Sequence, residues 1–147
     1  MIINLSLAEG GNVDEQRALP SPFIVRRVLI VDDNEDVAGS LASYLDQVGH
    51  SAVTAGTGDA ALQIATVFRP DVAILDIGLP DMNGAELASR LREQGGSTEL
   101  LLIAVSGYGP EKLRSLNVDS IFKHIFTKPS DPKTIAECLQ TSITAPN

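Results

Sequence analysis

Tryptophan is missing from this 147-residue chain, cysteine occurs once, and aromatic residues make up only 4% of it. A single thiol, Cys138, excludes an intrachain disulfide and a thiolate zinc site, and it fits a reducing, cytoplasmic setting. Basic residues are scarce as well: 11 Lys and Arg stand against 19 Asp and Glu, for a net charge of −8. That balance argues against a nucleic-acid partner and favours a cation or a basic protein surface. No apolar run approaches the roughly 20 residues of a membrane-spanning helix, so no membrane partner is expected. The opening MIINLSLAEGGNVDEQ lacks a cationic start and predicts no secretory signal.

What is present is an ordinary globular composition, 44% hydrophobic and 20% charged, in a chain long enough to bury a core unaided. Residues 1–22, punctuated by Gly10, Gly11, Pro20 and Pro22, read as a flexible leader or linker; residues 23–147 read as one domain. Within that domain VLIV (28–31), SAVTA (51–55), VAILDI (72–77), LLLIAV (100–105) and HIFTK (124–128) are strand candidates. The first, third and fourth are apolar almost throughout, as strands covered on both faces must be.

Amphipathic stretches lie between the strands. Val37, Leu41, Tyr44, Leu45 and Val48 form one stripe at helical spacing, ended by Gly49; Ala61, Ile64, Ala65 and Phe68 form a second, closed by Pro70. Ala85, Ala88 and Leu91 make a third, stopped by Gly95-Gly96, and residues 110–119 a weaker, more polar one. Ile135, Cys138, Leu139 and Ser142 make the last, with Ser130 or Asp131 as cap and Pro132 in its first turn. Strands alternating with helices predict an α/β domain with a parallel sheet, whose ligands sit beyond the carboxyl ends of the strands.

The residues delivered to that edge carry the chemistry. The first strand ends in Asp32 and Asp33, the third in Asp76, the fourth in Ser106 and the fifth in Lys128. Each alone has a plainer reading, as a cap, a turn or a loop start. Together they place three mutually repelling carboxylates at one edge, and a hard divalent cation such as Mg²⁺ (or Mn²⁺) resolves the conflict. Asp76, isolated before Gly78 and Pro80, has the position of a nucleophile toward phosphorus. The cation, the Lys128 ammonium and the Ser106 hydroxyl would then neutralise the phosphoryl oxygens.

VLIVDDNED, VAILDIGLPDMNGAEL, IAVSGYG and FTKP together resemble the receiver domain of two-component response regulators, over about residues 26–145. DIGLPDMNG and SGYG are especially similar to receivers attached to hybrid sensor kinases. The resemblance implies a flavodoxin-like, doubly wound (βα)5 fold with strand order 2-1-3-4-5. It also implies a partner, a histidine kinase or histidine phosphotransfer domain, that supplies a phosphoryl group. Asp76 would be the phosphoacceptor, Asp33 a direct Mg²⁺ ligand, Asp32 a ligand mainly through water, and the Gly78 carbonyl a further ligand. Ser106 would be the switch hydroxyl and Lys128 its phosphoryl-pairing lysine, in a cis peptide bond to Pro129. Such a domain is a switch rather than an enzyme, its only reactions being its own phosphorylation and dephosphorylation.

Two positions depart from the family pattern. Ile125 stands where an aromatic ring or His often turns inward on activation, and Ile121 where a small residue commonly ends the fourth helix. Ile tolerates positive φ poorly, so that helix end is expected to differ. Ile121, Phe122 and Ile125 could form an exposed patch for a downstream protein in the 110–126 region, or could be core. Two other functions compete: a phosphorylation-independent interaction module on the same fold, and a metal-dependent phosphohydrolase, for which the chain offers no further general base or lid. After Lys128 there is room for one helix and a short tail, which suggests a stand-alone receiver or one excised from a larger kinase.

Overall fold

The computed structural model describes residues 23–95 and 99–141. The leader at 1–22, Gly96 and Ser142 lie outside them. Five strands, β1 (Arg27–Val31), β2 (Ser51–Ala55), β3 (Val72–Asp76), β4 (Leu101–Ser106) and β5 (His124–Thr127), alternate with five helices. These are α1 (Glu35–Gln47), α2 (Gly58–Phe68), α3 (Gly84–Gly95), α4 (Pro110–Ser115) and α5 (Pro132–Thr141). The strands form one parallel sheet in the order β2-β1-β3-β4-β5. The chain moves outward from β1 to β2 and then returns to the other side of β1. The sheet is therefore flavodoxin-like and doubly wound, with its switch point between β1 and β3.

Alternate side chains of each strand enter opposite layers. Leu29, Val31, Ala73, Leu75, Leu102 and Ala104 pack toward α2 and α3, whereas Val28, Ile30, Val72, Ile74, Leu101 and Ile103 pack toward α1 and α5. Burial on both faces explains why these strands are apolar without alternation. Each large aliphatic side chain so buried stabilises the fold by about 1.5–3 kcal/mol relative to exposure. The same packing makes the strands stiff mounts for whatever stands at their ends.

Two helices differ from the expectation. On α1 the buried line is Ala38, Leu41 and Leu45, while Val37 is 43% and Val48 36% exposed. Val48 has become the residue that ends the helix, and Val37 sits on the rim of the cleft beside the carboxyl edge. The fourth helix, expected over 110–119, stops at Ser115 and buries none of its residues. Only Leu113, and Leu116 just beyond it, pack against the core, and neither is fully buried, so little holds further turns against the sheet. The chain instead turns at Asn117, with φ 56°, into a 3-10 turn at Val118–Ser120. Asn tolerates the left-handed conformation that Ile resists, and Ile121 keeps φ −105°.

The exposed patch is not what these residues form. Phe122 is buried, and Ile121 and Ile125 are half-buried against the cluster under α2 and α3. Cys138 is buried on the inner face of α5. The segment leading into β1 is held by Gln140, which exchanges two hydrogen bonds with the Ile24 backbone, and by His50, whose Nδ1 accepts the Arg26 N–H at 2.9 Å. The Phe23 ring lies 5.0 Å from the buried His50 ring. Among the described residues no helix is long and apolar enough to cross a membrane.

Candidate functional site

Parallel register brings the strand ends to one level: Val31 pairs with Leu75, Asp76 with Val105, and Ser106 with Thr127. The residue after β1 and the last residue of β3 therefore face each other across the switch point. Carboxylate oxygens of Asp32, Asp33 and Asp76 lie within 4.8 Å of one another. Asp32 and Asp76 are buried and Asp33 is exposed. Asp32 is fixed twice, its Oδ1 accepting the Asn34 N–H at 2.9 Å and its Oδ2 lying 2.9 Å from Lys128 Nζ. Asn34 in turn caps α1, its Oδ1 accepting the N–H groups of Asp36 and Val37. An Asn at a strand–helix boundary is a legible signal of that role.

Lys128 supplies the compensating charge. Its ammonium, 27% exposed, reaches Asp32 at 2.9 Å and Asp76 at 3.2 Å. Burial pulls its pKa down, but the hydrogen bond to Asp32 and the charges of Asp76 and Asp32 outweigh that, and the pKa is raised. The Lys128 N–H also donates to the Ser106 carbonyl at 2.8 Å, so β4 fixes where the lysine leaves β5. The Lys128–Pro129 bond is cis, as the resemblance implied.

Ser106 stands buried at the same edge, and its Oγ accepts the Tyr108 N–H at 2.8 Å. The structure thus joins Asp32, Asp33, Asp76 and Lys128 directly, while the Ser106 hydroxyl is engaged with the loop that follows. Gly78 donates its N–H to Asp76 Oδ1 at 3.1 Å. A Cβ at Gly78 would lie 2.9 Å from the Tyr108 hydroxyl, so the phenol occupies the space beside the acid. A donor set of oxygens alone, three of them anionic, fits a hard cation with retained waters and does not fit a soft metal.

The loop after Asp76 contains residues that strand and helix periodicity does not reveal. Gly84 N–H closes the loop onto the Ile77 carbonyl at 2.8 Å, and a Cβ at Gly84 would sit 2.9 Å from the Asp76 carbonyl oxygen. Asn83 Oδ1 accepts the Glu86 N–H at 2.8 Å and so starts α3. The spacing N-x-x-E was the available signal.

Residues 28–140 match the response regulator receiver domain. The chain belongs to that family. This receiver is 29% identical over 110 residues to the alkaline phosphatase synthesis transcriptional regulatory protein PhoP of Bacillus subtilis, covering 75% of this chain and 45% of that protein. The match thus spans less than half of that relative. Its backbone superposes on the chemotaxis response regulator CheY4 of Vibrio cholerae with TM-score 0.71 at 26% identity, covering 80% of this chain and 98% of the other. It is also similar, at 26% identity and TM-score 0.68, to a Burkholderia pseudomallei response regulator solved with a phosphorylated aspartic acid and a calcium ion. That alignment covers 78% of this chain and 66% of the other. Receivers are signalling switches of two-component systems.

Proposed function

We propose that this receiver takes a phosphoryl group from a histidine kinase or histidine phosphotransfer domain onto Asp76, in a step that requires Mg²⁺ or Mn²⁺. The observation that carries the reading is the meeting at the switch point of three carboxylates whose oxygens lie within 4.8 Å of one another, two of them ion-paired to the Lys128 ammonium. An Asp76 oxygen forms a bond to phosphorus as the bond from phosphorus to the donor imidazole nitrogen breaks. The bonding pair leaves with that nitrogen. As the family resemblance implies, Asp33, Asp76 and the Gly78 carbonyl would hold the metal directly, and Asp32 mainly through water. When bound, the metal neutralises phosphoryl charge and the repulsion between the acids.

The remaining groups belong to the chain itself. Lys128 moves from carboxylate to phosphoryl oxygen at little cost, because its ammonium is already held beside Asp76. Ser106 Oγ would release the Tyr108 N–H to meet the phosphoryl group, shifting the β4–α4 loop and offering a downstream protein a changed surface in the 110–126 region. The related response regulator with phosphorylated aspartic acid and a divalent ion supports this chemistry. Incubation with a small phosphodonor and Mg²⁺ is expected to add one phosphate by mass spectrometry, and Asp76→Asn to add none. Labelling retained in Asp76→Asn would end the proposal, and labelling unaffected by chelation would remove the metal from it.

A further inference from the structure

The β3–α3 loop is closed on itself and then tied to a neighbouring helix. Gly78 bridges Asn83 across the loop, and Gly84 bonds back to Ile77. At the tip, the Asp81 carboxylate reaches out of its own segment. Its Oδ1 accepts the Gly58 N–H at 2.9 Å and its Oδ2 the Asp59 N–H at 3.0 Å. These are the first N–H groups of α2, which have no acceptor inside the helix. The next, on Ala60, is taken locally by Thr57 Oγ1 at 3.1 Å.

Met82 seals the joint. Its side chain lies against Gly58 so closely that a Cβ there would fall 2.6 Å from its Cγ. The two backbone donors hold the Asp81 carboxyl below the usual carboxylate range. Asp81 itself is exposed, so its contribution is anchorage and not core packing. An ordinary helix takes its cap from the residue just before it, as Thr57 shows. Here the second capping group comes from the loop that carries Gly78.

We propose that Asp81 is a positioning residue for the phosphoacceptor site: by clamping the loop tip to the start of α2, it holds Gly78 against Asp76. It touches no reacting atom and acts through the loop. The metal-binding consequence rests on the function proposed above; the clamp does not.

Thr57→Ala provides the control, because it removes a partner from the same helix end without touching the loop. In the metal-free protein, amide exchange at Gly84 is expected to rise about tenfold in Asp81→Ala, less in Asp81→Asn, which retains one acceptor, and not in Thr57→Ala at matched global stability. NMR titration with Mg²⁺ alone is expected to show several-fold weaker binding in Asp81→Ala than in Thr57→Ala. Gly84 exchange and Mg²⁺ affinity equal in those two variants would overturn the inference. A wild-type protein that binds no Mg²⁺ would refute the metal reading, while the exchange comparison would still decide whether Asp81 holds the loop.

Discussion

Replacing Lys128 by Met should weaken the metal-free fold and tighten its hold on a divalent cation. The ammonium lies 2.9 Å from Asp32 and 3.2 Å from Asp76, both largely buried. At an effective dielectric of about 20, each contact is worth a gross attraction of roughly 5–6 kcal/mol. Most of this is offset by desolvation of the three groups and by ordering of the long side chain, and the partial exposure of Lys128 screens what remains. The net loss is on the order of 2 kcal/mol, which is about 8 °C in Tm for a domain of this size. Removing the lysine also takes one positive charge out of a cluster of three acids, so Mg²⁺ should bind roughly tenfold more tightly. Thermal unfolding of wild type and Lys128→Met, with and without Mg²⁺, reads both effects. The variant should melt lower in chelator, and the gap should shrink as Mg²⁺ is added. A variant as stable as wild type in chelator, or one with weaker Mg²⁺ binding, would refute the assignment of Lys128 as the compensating charge.

Other consequences follow from specific contacts. Gly84→Ala puts a Cβ 2.9 Å from backbone atoms of Asp76 and Ile77 that cannot yield, so chemical denaturation should show a loss of about 2–3 kcal/mol; a change under 0.5 kcal/mol would contradict the close approach. Tyr108→Ala removes the phenol beside Gly78 and should shorten the phosphoryl lifetime several-fold in a dephosphorylation time course, whereas an unchanged or longer lifetime would show that Tyr108 does not shield the acid. Burial and the charge of Arg26 lower the His50 pKa, against an opposing pull from Asp71. The unfolded chain therefore binds the proton first, near pH 6.5, so stability is intact above that pH and is lost as pH falls toward the folded pKa. His50→Gln should flatten part of that slope, leaving the share of His124, whose pKa burial also lowers; an identical pH profile would exclude His50.

Much of this molecule was readable in one dimension. The strands VLIV and VAILD are where apolar runs place them, because strands covered on both faces are apolar almost throughout. The edge strand SAVTA, only partly buried, was legible from its short β-branched and alanine run. Asp32, Asp76, Ser106 and Lys128 were legible as a set because parallel strands must present their carboxyl ends at one edge. Periodicity failed where the burial phase was shallow. Val37 shares a stripe with Leu41, yet the helix rolls so that Ala38 takes the buried position. The polar fourth helix stops short because none of its residues is fully buried and only Leu113 packs against the core.

What local sequence determined, then, was the succession of elements and the chemical types delivered to the sheet edge, since propensity and alternation act between near neighbours. Only the tertiary structure decided that the Ser106 hydroxyl turns to Tyr108, that Ile121 and Ile125 serve the core, and that Asp81 caps a helix begun more than twenty positions earlier. The core and capping contacts join segments distant along the chain, and the Ser106 contact depends on how the loop after β4 is held. Their geometry depends on how helices roll against the sheet, and no repeat or spacing within one segment encodes it.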